Sequence, residues 1–305
     1  MIEPSNQIQL FGLDNQISEL FTLYDNKKLP NKIILSGPKG IGKCTMSYHF
    51  INYVLSLDEK HSYDTNSFKI HKDNKSYKLI NNHINPNFFL LDVLQDKKNI
   101  DIKQIRILIN DLNKFSLNKK PRFVLIDNIE FLNINSVNAL LKVLEEPNEH
   151  VYFILISNNL KILPTLKSRC LDFRIFLTNQ EIIEISNRLL NLKIDETIHK
   201  SLINYYITPG KIYYLVEFCK LNEINLEKID LKILIKILIK NSLYKKSNFI
   251  RLIMFELIEF YLTNSIYSNQ SYLYYLFIKK IHQTNKYNLD VESLLIEFEN
   301  RVLDE

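Results

Sequence analysis

The sequence predicts an α/β fold: a parallel-sheet domain followed by two helical parts. Three observations carry this. Short apolar runs alternate with helical periodicity as far as residue 177, a glycine-rich turn joins the first run to the first long helix, and strand-like runs stop after Thr178. Lys32–Ser36 reads as a buried strand, with Ile33, Ile34 and Leu35 continuous. A helix follows from Lys43 to Leu57, with Met46, Phe50, Tyr53, Val54 and Leu57 at helical spacing. Residues 58–85 are polar and irregular and read as a surface excursion. Phe88–Val93 is the second apolar run, and Ile102, Ile105, Leu108, Ile109 and Leu112 mark the next helix. Arg122–Ile126 is the third strand, ending at Asp127. Asn135–Glu146 is helical, with Val137, Leu140, Leu141 and Leu144 on one face and Pro147 as its stop. Val151–Ile156 and Leu171–Phe176 complete the sheet. Residues 180–221 read as a small helical bundle broken at Thr208-Pro209-Gly210, and 223–305 as further helices rich in Ile, Leu and Tyr.

Composition bounds the function without choosing it. The 305 residues carry a net charge of +5, which permits contact with nucleic acid but does not require it. Cys44, Cys170 and Cys219 have neither CxxC spacing nor an even framework, so neither zinc nor a disulfide scaffold is expected. The first residues are polar and no apolar run reaches the length of a membrane span, so a reduced, cytoplasmic protein without membrane contact is expected.

Gly37-Pro38-Lys39-Gly40-Ile41-Gly42-Lys43-Cys44 follows a strand and opens a helix. That context suits phosphate binding: glycines turn backbone N–H groups inward, the helix N-terminus adds positive potential, and Lys43 reaches the terminal phosphates. The chain has five glycines, and Gly37, Gly40 and Gly42 all lie in this loop. The position after the lysine usually bears a hydroxyl that ligates magnesium. Here it is Cys44, a soft thiol unsuited to a hard ion. Thr45 projects about 100° away on the helix and could still contact a phosphate. Asp127 caps an apolar strand, as an acid supporting a magnesium shell would. The next residue, Asn128, cannot serve as a base, and Glu130 is expected to project elsewhere.

Asn138-Ala139-Leu140-Leu141-Lys142-Val143-Leu144-Glu145-Glu146-Pro147 and Ser168-Arg169-Cys170 make the reading specific. Both resemble signatures of clamp-loader AAA+ subunits, and their order after the phosphate loop and the acidic strand end matches that family. Within it, the non-hydroxyl residue after Gly-Ile-Gly-Lys and the missing acid after Asp127 are similar to the delta-prime subunits of bacterial DNA polymerase III. The resemblance implies an AAA+ P-loop domain over 1–177, a helical lid over 178–222 and a helical collar over 223–305. It implies that Arg169 acts in trans on a neighbouring subunit's ATP. It also implies a nucleotide site of Gly37, Gly40, Gly42, Lys43, Cys44, Thr45, Asp127, Asn158 and Lys211, holding ATP or ADP with magnesium-dependent hydrolysis impaired. Lys211 keeps the charge of the family's lid arginine but not its bidentate geometry. The implied partners are gamma/tau and delta subunits, and through them the sliding clamp and primed DNA. A self-sufficient gamma/tau-like ATPase motor is the alternative, and a DNA-repair ATPase outside clamp loading a more remote one.

Overall fold

Five strands form one parallel sheet in the order β2-β3-β4-β1-β5: β1 Lys32–Ser36, β2 Phe88–Leu91, β3 Arg122–Ile126, β4 Val151–Ser157 and β5 Leu171–Arg174. The computed structural model describes residues 3–304 except 95, 96, 98, 115–117, 146–149, 159–162, 204–207, 265–270 and 288. Glu146 and Pro147 of the expected helix end therefore lie outside the described residues. Every adjacent strand pair is parallel, with Ile33 opposite Ile154, Phe123 opposite Tyr152 and Ile34 opposite Asp172.

The alternation of side chains along each strand divides the core in two. Ile33, Leu35, Phe123, Leu125, Ile154 and Ile156 share one cluster with α1 (Asp14–Asp25), α2 (Lys43–Leu55) and α3 (Lys75–Asn81). Ile34, Val124, Ile126, Phe153 and Leu155 belong to a second, with α4 (Ile102–Leu112), α5 (Ile134–Glu145) and α6 (Pro164–Lys167). Strands apolar on both faces are what a doubly covered parallel sheet requires, so the α/β expectation holds.

Several boundaries shift by one or two residues from the sequence reading, and one segment differs outright. Helix α2 stops at Leu55, because Ser56 closes it with its N–H on the Asn52 carbonyl while its hydroxyl accepts from Tyr63 N–H. Strand β2 ends at Leu91, where the Asp92 carboxylate takes the Val93 N–H (2.7 Å). Strand β5 ends at Arg174 rather than Phe176. The expected 58–85 excursion is anchored instead: Tyr63, Ile70 and Ile80 are buried in the first core cluster. Buried Asn74 caps α3 through Tyr77 N–H (2.7 Å), pairs with Asn52 and donates to the His61 carbonyl (2.8 Å). Glu59 accepts from Lys75 N–H, Ser76 N–H and the Ser76 hydroxyl (2.8, 3.2 and 2.6 Å).

The chain forms two compact units, residues 1–185 with 208–210 and residues 186–207 with 211–305. The second is helical, from the latter part of α7 (Asn179–Leu190) through α8 (Ile194–Thr197), α9 (Lys200–Ile203), α10 (Pro209–Leu221), α11 (Leu231–Lys240), α12 (Asn248–Asn264), α13 (Ser271–Tyr287) and α14 (Val291–Phe298). Its core holds Leu234, Leu238, Ile250, Leu257, Phe277 and Phe298. No described helix is long and apolar enough to cross a membrane.

Candidate functional site

The carboxyl ends of β1, β2, β3 and β4 deliver the glycine loop, Asp92, Asp127 and Asn158 respectively. Ligands of open α/β sheets bind at this end. Gly37 holds a backbone that other residues cannot: its φ is +152°, and a Cβ there would lie 2.4 Å from the Ile175 carbonyl oxygen. Gly42 precedes α2 and gives it no side-chain cap. The N–H groups of Lys43, Cys44 and Thr45 thus have no acceptor within the helix, and with the macrodipole they form a positive end facing the loop.

Lys43 is only 3% exposed. Its ammonium donates to the Gly37 and Pro38 carbonyls (2.8 and 2.7 Å). Burial pushes it down to about 8, partly offset by the negative charges of Asp127 and Glu130. Asp127 is pushed up to about 6, first by burial and then by the Asp92 carboxylate. The Cys44 thiol donates to Asp127, and burial followed by that carboxylate drives it well above the ordinary thiol range. Cys44 is accordingly a neutral thiol, neither nucleophile nor hard-ion ligand.

Asn128 joins three strand ends. Its side chain donates to Asp92 (2.9 Å) and accepts from Asn158 (2.8 Å), and its own N–H meets Asp127 (2.8 Å). Its φ is +58°, in the left-handed region that Asn tolerates better than most residues. That turn leads into a short 3-10 helix, Ile129–Phe131, which brings Glu130 back to the site. The Glu130 carboxylate lies 3.4 Å from Asn158 N–H and acts on Lys43, contrary to the expectation that it projects elsewhere. Asp92 is the acid that sequence reasoning missed, and Glu130 the one whose direction it misjudged. Asp92 carried a signal, since it follows an apolar run just as Asp127 does.

A second missed contribution comes from far along the chain. The Thr208 hydroxyl donates to the Lys39 carbonyl (2.8 Å), and Gly210 N–H to the Gly40 carbonyl (2.9 Å). A Cβ on Gly210 would meet that same oxygen at 2.9 Å. Lys211, by contrast, belongs to the helical unit, where its ammonium donates to both Glu256 carboxylate oxygens at 2.7 Å.

Arg169 follows the C-terminus of α6. Its guanidinium donates to one Glu145 oxygen through Nε (3.0 Å) and Nη2 (2.6 Å), and through Nη1 to the Thr165 carbonyl (3.0 Å) and the Ser168 hydroxyl (3.3 Å). Cys170 packs on the second core cluster, and burial pushes its thiol up to about 11.

The site fits a phosphate, through the buried cation, the uncapped helix end and the glycine loop. It does not fit magnesium held by a loop hydroxyl, because the residue bonded to Asp127 from that position is a thiol. Among the described residues, no group of three or more His, Cys, Asp or Glu stands together as a metal site.

The family described as DNA polymerase III, delta subunit, matches residues 12–178, more than half of the chain. DNA polymerase III subunit delta' of Pseudomonas aeruginosa is 31% identical over 140 residues, covering 46% of this chain and 41% of that protein. Subunit delta' of Buchnera aphidicola subsp. Schizaphis graminum is 30% identical over 160 residues, covering 52% and 46%. The match thus spans less than half the length of either relative. DNA polymerase III subunit gamma of the same Buchnera is 35% identical over 83 residues, 27% of this chain and 23% of that one. Among solved structures, a DNA polymerase III gamma subunit-related protein from Thermotoga maritima aligns with a TM-score of 0.43 at 19% identity, covering 91% of this chain and 96% of that one.

Proposed function

Because the chain belongs to the DNA polymerase III delta subunit family, we propose that it is a delta-prime-like clamp-loader subunit that lends Arg169 to a neighbour's ATP and turns over little ATP itself. The observation that carries this reading is the chemistry around Asp127. The partner from the loop is the Cys44 thiol, and the residue that follows is an amide tied to Asp92 and Asn158. The thiol is a poor magnesium ligand, and the amide cannot act as a base.

In this reading Gly37, Gly40, Gly42, Lys43, Cys44 and Thr45 cradle the phosphates of ATP or ADP, with Asp127 and Asn158 beside them. Lys43 supplies the charge, and no hydrolytic step follows. Lys211, committed to Glu256, serves helix packing rather than the nucleotide. The lid spans 178–222, and the collar, 223–305, joins gamma/tau and delta subunits. Through that assembly the chain acts on the sliding clamp and primed DNA. A guanidinium suits the trans role because it stays charged and grips two phosphate oxygens.

The test is reconstitution with gamma/tau and delta subunits. Arg169→Ala is expected to lower DNA-stimulated ATP hydrolysis at the served site by at least about tenfold, toward the 10³–10⁵ that such fingers contribute elsewhere. An unchanged rate sinks the trans role.

One observation favours a second reading, a gamma/tau-like motor: Glu130 returns to the site and could serve as the base. Magnesium-dependent turnover by the purified chain, abolished by Glu130→Gln, would establish it.

A further inference from the structure

We propose that Glu145 is a latch that holds Arg169 until a phosphate displaces it; the proposal rests on the trans role of Arg169. The argument is a donor count. A guanidinium has five N–H donors. Two go to Glu145 Oε1, and Nη1 serves the Thr165 carbonyl and the Ser168 hydroxyl. One N–H remains, on Nη2. A bidentate grip on a phosphate needs two parallel N–H groups, so the arginine cannot make one while Glu145 keeps its share.

The backbone is fixed while the side chain is not. Arg169 N–H bonds the Leu166 carbonyl (3.1 Å), and Leu166 is buried in the second core cluster, against which Cys170 also packs. The Arg169 and Glu145 side chains are 35% and 54% exposed, and ion pairs so open to water are shallow. A more highly charged phosphate can outcompete such a carboxylate. The Ser-Arg-Cys sequence then divides its work: Ser168 accepts from the guanidinium, Arg169 swings, and Cys170 anchors the pivot.

Four full-length proteins test this in the reconstituted complex: wild type, Glu145→Gln, Arg169→Ala and the double variant, each checked for folding by thermal melt. Glu145→Gln is expected to speed hydrolysis at the served site about two- to fivefold, the range set by an exposed ion pair, and to do nothing on the Arg169→Ala background. If Arg169→Ala slows the reaction but Glu145→Gln leaves it unchanged or slows it, the latch alone is overturned. If Arg169→Ala has no effect, the trans role falls and the latch with it. Nitrogen-15 NMR of the isolated chain gives a readout apart from activity. The Arg169 Nε–H should exchange with water faster in Glu145→Gln, and equal exchange would overturn the latch.

Discussion

Asp127→Asn should stabilise this protein at neutral pH and make only a small difference near pH 4. Burial and the Asp92 carboxylate raise Asp127 from the ordinary 3.8 to about 6. A raised carboxylate binds its proton more tightly when folded, so its contribution is fully present below the unfolded value and is lost as pH climbs through the folded one. The gap between 3.8 and about 6 corresponds to about 3 kcal/mol. Asparagine stands in for the protonated acid and keeps an oxygen to accept from Asn128 N–H and the Cys44 thiol. Subtracting wild type from variant cancels the carboxylates that do not interact with Asp127. The difference in unfolding free energy should then grow from about 0.5 kcal/mol at pH 4 to about 3 kcal/mol at pH 7. Urea titrations at half-unit pH steps with a common m-value measure it. A difference independent of pH, or a variant less stable than wild type at pH 7, would refute the reasoning, because Asp127 would then be ionised without penalty in the folded chain.

Two further outcomes probe separate parts of the first unit. Cys44→Thr restores a hydroxyl beside Asp127, and should tighten fluorescent ATP-analogue binding about tenfold or more when magnesium is added; no response to magnesium would show that the thiol is not what excludes the ion. Glu59→Ala removes the acceptor of two α3 N–H groups and the Ser76 hydroxyl, and should cost about 1–3 kcal/mol in urea unfolding. A loss below about 0.5 kcal/mol would show that the 58–85 segment does not depend on it.

What the sequence revealed was local. The β1 run, the glycine loop and the strand ending at Asp127 are contiguous patterns, and each forms where its periodicity puts it. Glu130 escaped because its direction depends on the left-handed turn at Asn128, which spacing along a regular strand or helix does not encode. Thr208 and Gly210 escaped because their contacts cross some 170 residues of chain to Lys39 and Gly40. The 58–85 segment was misjudged for a third reason. Its apolar anchors Tyr63, Ile70 and Ile80 are widely spaced without a regular period, and its polar ones, Asn52, Asn74 and Ser76, are residue types that usually face water.

The same physics bears on what the glycine loop is for. A cation only 3% exposed and a carboxylate held near 6 both weaken the fold at neutral pH, since each group would ionise more readily in the unfolded chain. Core packing accepts apolar residues of similar volume in such places at little cost. Yet the strained Gly37 backbone, the buried Lys43 and the Asn128 relay are all assembled around one point at the carboxyl end of the sheet. Strain and buried charge of this kind cluster at functional sites, where a ligand repays them. In the proposed reading an anion would do so here, by returning a counter-charge to Lys43 and acceptors to the uncapped N–H groups of α2. In that reading the thiol departs from the usual loop pattern by removing a magnesium ligand while leaving the phosphate-binding groups in place, the combination the proposal of a nucleotide-holding, non-hydrolysing subunit calls for.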